Sequence, residues 1–184
     1  MGSLRVIAGR AKGRRLRSVP GDSTRPITDR VKESLFNILG ADVEASSWLD
    51  LFAGTGSVGI EALSRGASFV RFIDMDRLAI QTVKANLAAS GLEGGEVLRA
   101  DAFAVLGQPS DRHFDYVYIA PPQYKELWKK ALLAIDVQPG WLAEDAWVIV
   151  QIHPKEYEAL PLAHLEEFDQ RRYGSTVLVF YRVG

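Results

Sequence analysis

Short apolar runs alternate with amphipathic segments along most of the chain. The apolar runs predict five strands of one sheet, at Trp48–Phe52, Phe69–Asp74, Glu96–Ala100, Tyr116–Ile119 and Trp147–Ile152. Apolar positions at helical spacing fill the gaps, most clearly in a predicted helix over Arg77–Ser90 that Gly91 terminates, and a second clear helix follows Tyr124. Strands that alternate with helices are typical of an α/β domain with a parallel sheet.

The segments on either side of this alternation follow other patterns. Near the carboxyl end, Leu165–Arg172 and Thr176–Arg182 are separated only by a turn at 173–175, which predicts an antiparallel hairpin at the edge of the sheet. Ahead of the alternation, Thr28 is a suitable N-cap for a predicted helix over Asp29–Leu39, whose apolar positions share one face. We therefore expect this helix to pack on the main domain.

The amino-terminal residues predict a basic β-hairpin. Arg5–Gly9 and Arg14–Val19 look like two short strands around a turn, which divides the chain into a hairpin extension over 1–22 and a main domain over 23–184. The formal net charge of −1 conceals an asymmetry, because residues 1–32 carry nine lysines and arginines against two acids, or +7, and the remainder carries −8. Such a segment indicates a phosphate-binding surface, with a solvated basic tail as the alternative.

The stretch from Asp50 to Gly59, DLFAGTGSVG, carries the strongest functional signal. An apolar strand runs into a glycine-rich turn and then a helix, and Gly54, Gly56 and Gly59 match the G-x-G-x-x-G spacing of dinucleotide-binding turns. Asp50 argues against a dinucleotide, because a carboxylate at the strand end repels a pyrophosphate. S-adenosylmethionine (SAM) has no phosphate and offers an ammonium, a sulfonium and a ribose diol, all of which suit carboxylates. A tight turn without a ligand is the alternative.

Further polar positions follow the other predicted strands. Asp74 ends the second strand, Asp101 follows the third, and the turn at 120–124 follows the fourth. Ligands of open α/β sheets bind at this carboxyl edge of the strands. Each carboxylate alone is weak support for a site, because a side chain at that place also caps the next helix. Together with Asp50 and the glycine-rich turn, these positions predict a single ligand site.

The glycine-rich turn and four other segments resemble the RsmD-type family of class I SAM-dependent methyltransferases. The four segments are Arg5–Gly9, Arg25–Asn37, Gly59–Ala67 and Asp74–Arg77. The resemblance extends over nearly the whole chain. It implies a Rossmann-like class I methyltransferase fold and methylation of the exocyclic N2 amine of a guanine in 16S ribosomal RNA.

The same resemblance implies which residues form each part of the site. Asp50 and the glycine-rich turn would hold the methionine end of SAM, Asp74 would accept from the ribose hydroxyls, and Asp101 with Ala102 would border the adenine. The full expected cofactor set is Asp50, Phe52, Ala53, Gly54, Thr55, Gly56, Asp74, Met75, Asp101 and Ala102. The basic segment would hold 16S ribosomal RNA of an assembling small subunit, apart from the cofactor turn. Its expected RNA-binding residues are Arg5, Arg10, Lys12, Arg14, Arg15, Arg17, Arg25 and Arg30.

The turn after the fourth strand departs from the family pattern. Amino-methyltransferases of this kind carry Asp or Asn, then Pro-Pro and an aromatic residue, whereas this chain has Ala120 and places Gln123 before Tyr124. A nucleobase amine is a poor nucleophile, so acceptors must hold its N–H groups, and Ala120 has no side-chain acceptor. We expect the backbone carbonyls of Ala120 and Pro121 and the amide of Gln123 to serve instead, with Tyr124 stacked on the base. The candidate catalytic residues are Ala120, Pro121, Pro122, Gln123 and Tyr124, and an ordinary turn with a packing aromatic is the alternative.

Composition bears on several other classes of function. The chain has no cysteine, and its three histidines share no metal-ligand spacing, so we expect neither a disulfide nor a metal site. The apolar runs are of strand length, and the pattern of a signal peptide is missing, so we expect a cytoplasmic protein without a membrane segment. We further expect a monomer. Three alternatives stay open: a SAM- or RNA-binding protein without turnover, a nicotinamide-dependent oxidoreductase, and an amino-methyltransferase of another nucleobase.

Overall fold

A seven-stranded sheet forms the centre of the fold. The structure is a computed structural model that describes residues 4–21 and 26–184. The strands are β1 (Ser47–Asp50), β2 (Phe69–Asp74), β3 (Gly95–Arg99), β4 (Phe114–Ile119), β5 (Leu142–Ile152), β6 (Leu165–Tyr173) and β7 (Thr176–Val183). Across the sheet they lie in the order β3-β2-β1-β4-β5-β7-β6.

The strand directions confirm the predicted fold class. Strands β1 to β5 pair in parallel, and β7 pairs antiparallel with both β5 and β6. The sheet is therefore mostly parallel with an antiparallel terminal hairpin. The strand order reverses between β1 and β4, and a crevice at the carboxyl ends of the strands is expected at such a reversal.

Helices cover both faces of the sheet. They are α1 (Asp29–Leu39), α2 (Ser57–Ser64), α3 (Arg77–Ser90), α4 (Ala102–Leu106) and α5 (Leu127–Val137). Helices α1, α2 and α3 bury one face around Trp48 and Phe72, and α4 and α5 bury the other around Phe114 and Trp128. Full burial of such a side chain contributes about 1.5–3 kcal/mol. Within the described ranges, every helix falls short of the length and apolarity that a membrane crossing needs.

Local sequence signals place several element ends correctly. Helix α1 has the predicted bounds, and the Thr28 hydroxyl accepts from the Val31 amide at 3.2 Å. Helix α3 also has the predicted bounds and ends at Gly91, whose φ of 68° suits glycine. Strand β5 begins five residues before the predicted Trp147, because Leu142 pairs with β4 beyond a register shift that interrupts the regular pattern.

The amino-terminal segment differs from the predicted pair of strands. Its two arms meet in an isolated antiparallel bridge between Arg5 and Arg15, and neither arm forms a regular strand within residues 4–21. The arms share backbone hydrogen bonds around this bridge, among them Val6 N–H to the Arg14 carbonyl at 2.9 Å and Leu16 N–H to the Leu4 carbonyl at 2.8 Å. Beyond the bridge, backbone donors of the segment are used by α2. Ile7 and Ala8 donate to the Glu61 carboxylate at 2.9 and 3.1 Å. The apolar side chains of the segment join the core of the main domain, among them Leu4, Val6, Ala11 and Leu16.

Candidate active site at the carboxyl edge of the sheet

A cavity of about 890 Å³ lies at the carboxyl edge of β1, β2, β4 and β5. Nine of the ten expected cofactor residues line it: Asp50, Phe52, Ala53, Gly54, Thr55, Asp74, Met75, Asp101 and Ala102. Gly56 is not among the described lining residues; it forms the N-cap of α2, and a Cβ there would lie 3.2 Å from the Val83 side chain. A volume of this size is typical of sites for small molecules.

The glycine-rich turn has the geometry that its spacing predicts. Gly54 and Gly56 have φ values of 56° and 79°, which side chains rarely adopt, so the backbone reverses tightly here. Gly59 has a different role, because a Cβ at that position would lie 2.3 Å from the Phe72 ring. The third glycine therefore allows α2 to pack closely on β2.

Asp50 is buried at the floor of this cavity. Its side chain is 2% exposed, and its Oδ1 has no hydrogen-bond partner among the described residues. Burial, together with the charge of Asp74, raises the pKa of Asp50 to about 8, against a smaller lowering by the Phe52 backbone. A buried carboxylate oxygen without a partner is costly, so this position favours a ligand that brings a donor or a positive charge.

The other two carboxylates have partial structural roles. Asp74 accepts from the Gly54 amide at 2.9 Å through one oxygen and from the Asp76 amide at 2.9 Å through the other. Asp101 caps α4 by accepting from the Phe103 amide at 2.9 Å. Contacts within the turns and helix capping therefore use part of the hydrogen-bonding capacity of Asp74 and Asp101. Each carboxylate oxygen keeps a second lone pair, and both side chains line the cavity.

The charge of the lining distinguishes between ligand classes. Among the described lining residues, four are aspartates and the single basic residue is Lys125. A pyrophosphate would meet four carboxylates here, whereas a ligand with cationic groups and a diol would meet suitable acceptors. The residues therefore fit SAM, and they argue against the nicotinamide alternative.

The turn after β4 divides between the cavity and its rim. Ala120, Pro121, Pro122 and Gln123 line the cavity, but Tyr124 is not among the described lining residues and is 62% exposed. Tyr124 has a φ of 63°, and its amide donates to the Glu156 carboxylate at 2.8 Å. Its ring centroid lies 5.9 Å from that of His153. Four of the candidate catalytic residues are thus together, and Tyr124 lies outside the cavity.

Sequence reasoning missed several lining residues. Tyr118 and Gln151 reach the cavity from β4 and β5, and the Tyr118 hydroxyl donates to Gln151 Oε1. The available signal was period-two spacing, which places Tyr118 on the same face of β4 as Ala120. Residues 18, 19, 26 and 27 also line the cavity, and their separation in sequence from the other site residues gave no signal.

Exposed basic side chains cover the amino-terminal segment. Seven of the eight expected RNA-binding residues are exposed, namely Arg5, Arg10, Lys12, Arg14, Arg15, Arg17 and Arg30. The eighth, Arg25, lies outside the described residues. Arg5 pairs with Asp29 at 3.1 Å. Lys32, which contributes to the charge of +7, is fully buried and pairs with Glu61 at 3.3 Å, so its charge does not reach this surface.

The basic segment does not lie apart from the cofactor turn, contrary to the expectation from sequence. Ser18 and Val19 line the cavity itself. In addition, the buried Asn86 side chain joins the two parts. It accepts from the Arg17 amide at 2.7 Å and donates to the Thr55 carbonyl at 2.9 Å. The segment and the turn are therefore neighbours through one side chain.

Comparisons with known proteins agree with this architecture over nearly the whole chain. The family model described as Conserved hypothetical protein 95 matches residues 4–182. YlbH of Bacillus subtilis is 43% identical over 97% of this chain and 98% of its own length. Ribosomal RNA small subunit methyltransferase D of Haemophilus influenzae is 35% identical over 99% of this chain and 93% of its own length. The solved structure of yhhF from Escherichia coli has a TM-score of 0.87 at 31% identity, covering 99% of this chain and 98% of that chain.

Proposed function

Because the chain belongs to the family of ribosomal RNA small subunit methyltransferase D, we propose that it methylates 16S ribosomal RNA. The methyl donor is SAM, and the acceptor is the exocyclic N2 amine of a guanine. The observation that carries the proposal is a cavity whose described lining holds four aspartates and one basic residue, beside an exposed basic segment.

The carboxylates of the cavity divide between the polar groups of the cofactor. Asp50 takes the ammonium, because its buried Oδ1 has no partner among the described residues. Asp74 accepts from the ribose hydroxyls with the lone pairs that Gly54 and Asp76 leave free, and Asp101 with Ala102 borders the adenine. When bound, SAM supplies a methyl group on a positively charged sulfur.

The turn after β4 holds the amine of the target base. Backbone carbonyls at Ala120 and Pro121 supply acceptors, and proline brings no competing amide donor to the turn. The Gln123 amide, which also lines the cavity, supplies a further acceptor. Tyr124 stacks on the extruded base, which is how flipped bases are held in other enzymes. Support for this assignment comes from the position of the turn at the cavity that Asp50 also lines.

Ribosomal RNA binds across the basic segment. Its exposed arginines and lysine neutralise phosphates and release counterions, which provides affinity without sequence choice. The hydrogen bonds of Asn86 keep this surface close to the cofactor turn. A phosphate backbone held there would bring a neighbouring base within reach of the cavity.

Methyl transfer from tritiated SAM to hypomethylated small subunits tests the proposal directly. We expect label in 16S ribosomal RNA and no label when mature, fully methylated subunits are used. Calorimetry on the same protein should detect binding of SAM and of its demethylated product but not of NAD. Tight NAD binding without SAM binding would contradict the cofactor, and SAM binding without transfer to any subunit preparation would make the chain a binding protein.

Loss of the Asp74 carboxylate should weaken SAM binding. Asp74→Ala removes a charged acceptor worth about 1.5–3 kcal/mol, so we expect Kd to rise about tenfold to a hundredfold. Calorimetric titration measures this change. Asp42→Ala, at an exposed position in the helical turn between α1 and β1, is the matched control and should leave Kd unchanged.

A further inference from the structure

Gln151 lies directly beside Ala120 at the carboxyl edge of the sheet. The last paired residues of β4 and β5 are Ile119 and Val150, and the strands are parallel. The next residue along each strand is therefore a neighbour of the other, and these residues are Ala120 and Gln151. Both line the cavity. A side-chain amide thus stands next to the position at which an acceptor is missing.

The two positions also face the same side of the sheet. Tyr118 and Ala120 are two residues apart on an extended chain, so their side chains point to one face. The Gln151 amide is on that face as well, because its Oε1 accepts from the Tyr118 hydroxyl. Gln151 is half-buried, whereas Gln123 is exposed on the turn. A buried acceptor competes with less water and forms a stronger hydrogen bond than an exposed one.

Tyr118 fixes the orientation of this amide. Its side chain is buried, and burial together with the charge of Asp50 holds the pKa of Tyr118 well above its ordinary value. The hydroxyl therefore stays protonated and remains a donor, which selects the carbonyl oxygen of Gln151 as its partner. That oxygen has two lone pairs. The bond from Tyr118 is the one hydrogen bond of the Gln151 side chain within the described residues, so the second lone pair is available.

We propose that Gln151 Oε1 accepts a hydrogen bond from the target amine and so replaces the side-chain acceptor that Ala120 lacks. Tyr118 is the positioning residue for this contact. The inference rests on the proposed methyl transfer and adds a residue to it. Gln151 and the backbone carbonyls of the turn together hold the two N–H groups, so that the nitrogen lone pair faces the methyl carbon.

Methyl transfer does not require Gln151 to act as a base. The amine lone pair forms the new nitrogen–carbon bond as the carbon–sulfur bond breaks, and the electron pair of that bond stays on sulfur. The amine nitrogen then carries the positive charge and loses one proton to water at the cavity opening. An amide oxygen is too weak a base to take this proton, so Gln151 orients the amine and stabilises the charge that develops on it.

Two substitutions at neighbouring positions test the proposal. Gln151→Leu removes the acceptor at similar size, and we expect kcat for methyl transfer to fall about tenfold or more while the SAM Kd stays within about twofold. In Gln151→Leu the Tyr118 hydroxyl loses its hydrogen-bond partner, which by itself could destabilise the fold. The double variant Gln151→Leu with Tyr118→Phe removes that hydroxyl as well, so a low kcat that persists in it reflects the lost acceptor and not a lost stability. Gln170→Leu on exposed β6 is the matched control and should retain the wild-type rate.

Rescue from the neighbouring strand distinguishes an acceptor from a structural amide. Adding Ala120→Asp to Gln151→Leu should restore most of kcat, because the acceptor returns on the adjacent residue. A wild-type kcat in Gln151→Leu would overturn the role of Gln151 and leave the proposed function standing. The same conclusion would follow if Gln151→Leu with Ala120→Asp folded and bound SAM but recovered no kcat. Wild-type protein that transfers no methyl would overturn the proposed function and, with it, any acceptor role for Gln151.

Discussion

Asp50 combines a cost in folding stability with a proposed role in binding the cofactor. It ends β1 as a fully buried carboxyl, beside a second carboxylate at Asp74. Both features disfavour its charged form, and they raise its pKa to about 8. In the proposed function, the ammonium of SAM removes this penalty by pairing with the carboxylate. We therefore expect Asp50 to destabilise the empty site and to stabilise the occupied one.

The raised pKa of Asp50 makes the free protein less stable as pH rises. Because the folded pKa of about 8 exceeds the ordinary value of 3.8, the folded state binds more protons between these values. The contribution of Asp50 to the free energy of unfolding is largest below pH 4. It falls by roughly 1.4 kcal/mol per pH unit as the pH rises to about 8. Asp50→Asn removes this pH dependence. Urea denaturation should therefore show that the free energy of unfolding of the variant rises relative to that of wild type from pH 5.5 to 7.5. Parallel curves would contradict the raised pKa.

Tyr124 tests whether the rim of the cavity takes part in catalysis. Tyr124→Ala should lower the rate of methyl transfer about tenfold or more, since one base–aromatic stack is worth about 1–3 kcal/mol. Tyr124→Phe keeps the ring and serves as the control, with a rate close to wild type. Single-turnover kinetics with saturating SAM measure both variants. Equal rates for alanine and phenylalanine would leave Tyr124 as an exposed packing residue on His153.

At the scale of elements, α2 connects the cofactor turn to the basic segment. It begins directly after the turn, and its buried Glu61 accepts from the Ile7 and Ala8 amides. Glu61 also pairs with the buried Lys32, whose ammonium donates to the Arg5 carbonyl at 2.7 Å. Burial lowers the pKa of Lys32, and the charge of Glu61 opposes that change. Helix α2 therefore follows the glycine-rich turn directly and also holds the amino-terminal segment in place through Glu61.

Removal of Glu61 should destabilise the whole fold. Glu61→Ala leaves the buried Lys32 ammonium without its opposite charge and two backbone donors without their acceptor, which costs about 3–5 kcal/mol. Urea denaturation measures this loss. Glu33→Ala, at an exposed position of α1, is the control and should change stability by less than about 0.5 kcal/mol. A loss below about 1 kcal/mol for Glu61→Ala would contradict the anchoring role.

Local signals predicted the elements well because their causes are local. Thr28 and Gly91 fix the ends of α1 and α3 through short-range contacts, and both were readable in sequence. The strand-end carboxylates were also found, because parallel strands bring their carboxyl ends to one edge. Gln151 was missed because its role depends on which strand lies beside β4. The pairing of Lys32 with Glu61 was missed for the same reason, since no spacing predicts a contact between distant segments.

At the scale of the whole molecule, we expect the separation of charge along the chain to determine where RNA binds. Reversing three exposed charges to glutamate should weaken RNA binding and make its affinity depend less steeply on salt concentration. The three positions are Arg14, Arg15 and Arg17. Each lost phosphate contact lowers the slope of log K against log salt by about 0.7–0.9. SAM affinity should stay within about twofold, because Asn86 contacts the backbone of the segment and not these side chains.

A matched charge reversal on β6 and β7 controls for net charge. The control positions are Arg171, Arg172 and Arg182, which are exposed on β6 and β7. Filter binding with small-subunit RNA over a range of salt concentrations compares the two triple variants. If both variants lose affinity equally, RNA binding reflects net charge alone, and the amino-terminal segment is a solvated surface.

Identification of the methylated nucleoside tests the central claim most directly. Hypomethylated small subunits are incubated with the protein and isotopically labelled SAM, and the 16S ribosomal RNA is then digested to nucleosides for mass spectrometry. We predict label in N2-methylguanosine, at one methyl group per subunit. Label in a methylated adenosine or cytidine would contradict the assigned base. Absence of label in every subunit preparation, from protein that binds SAM, would contradict methyl transfer itself.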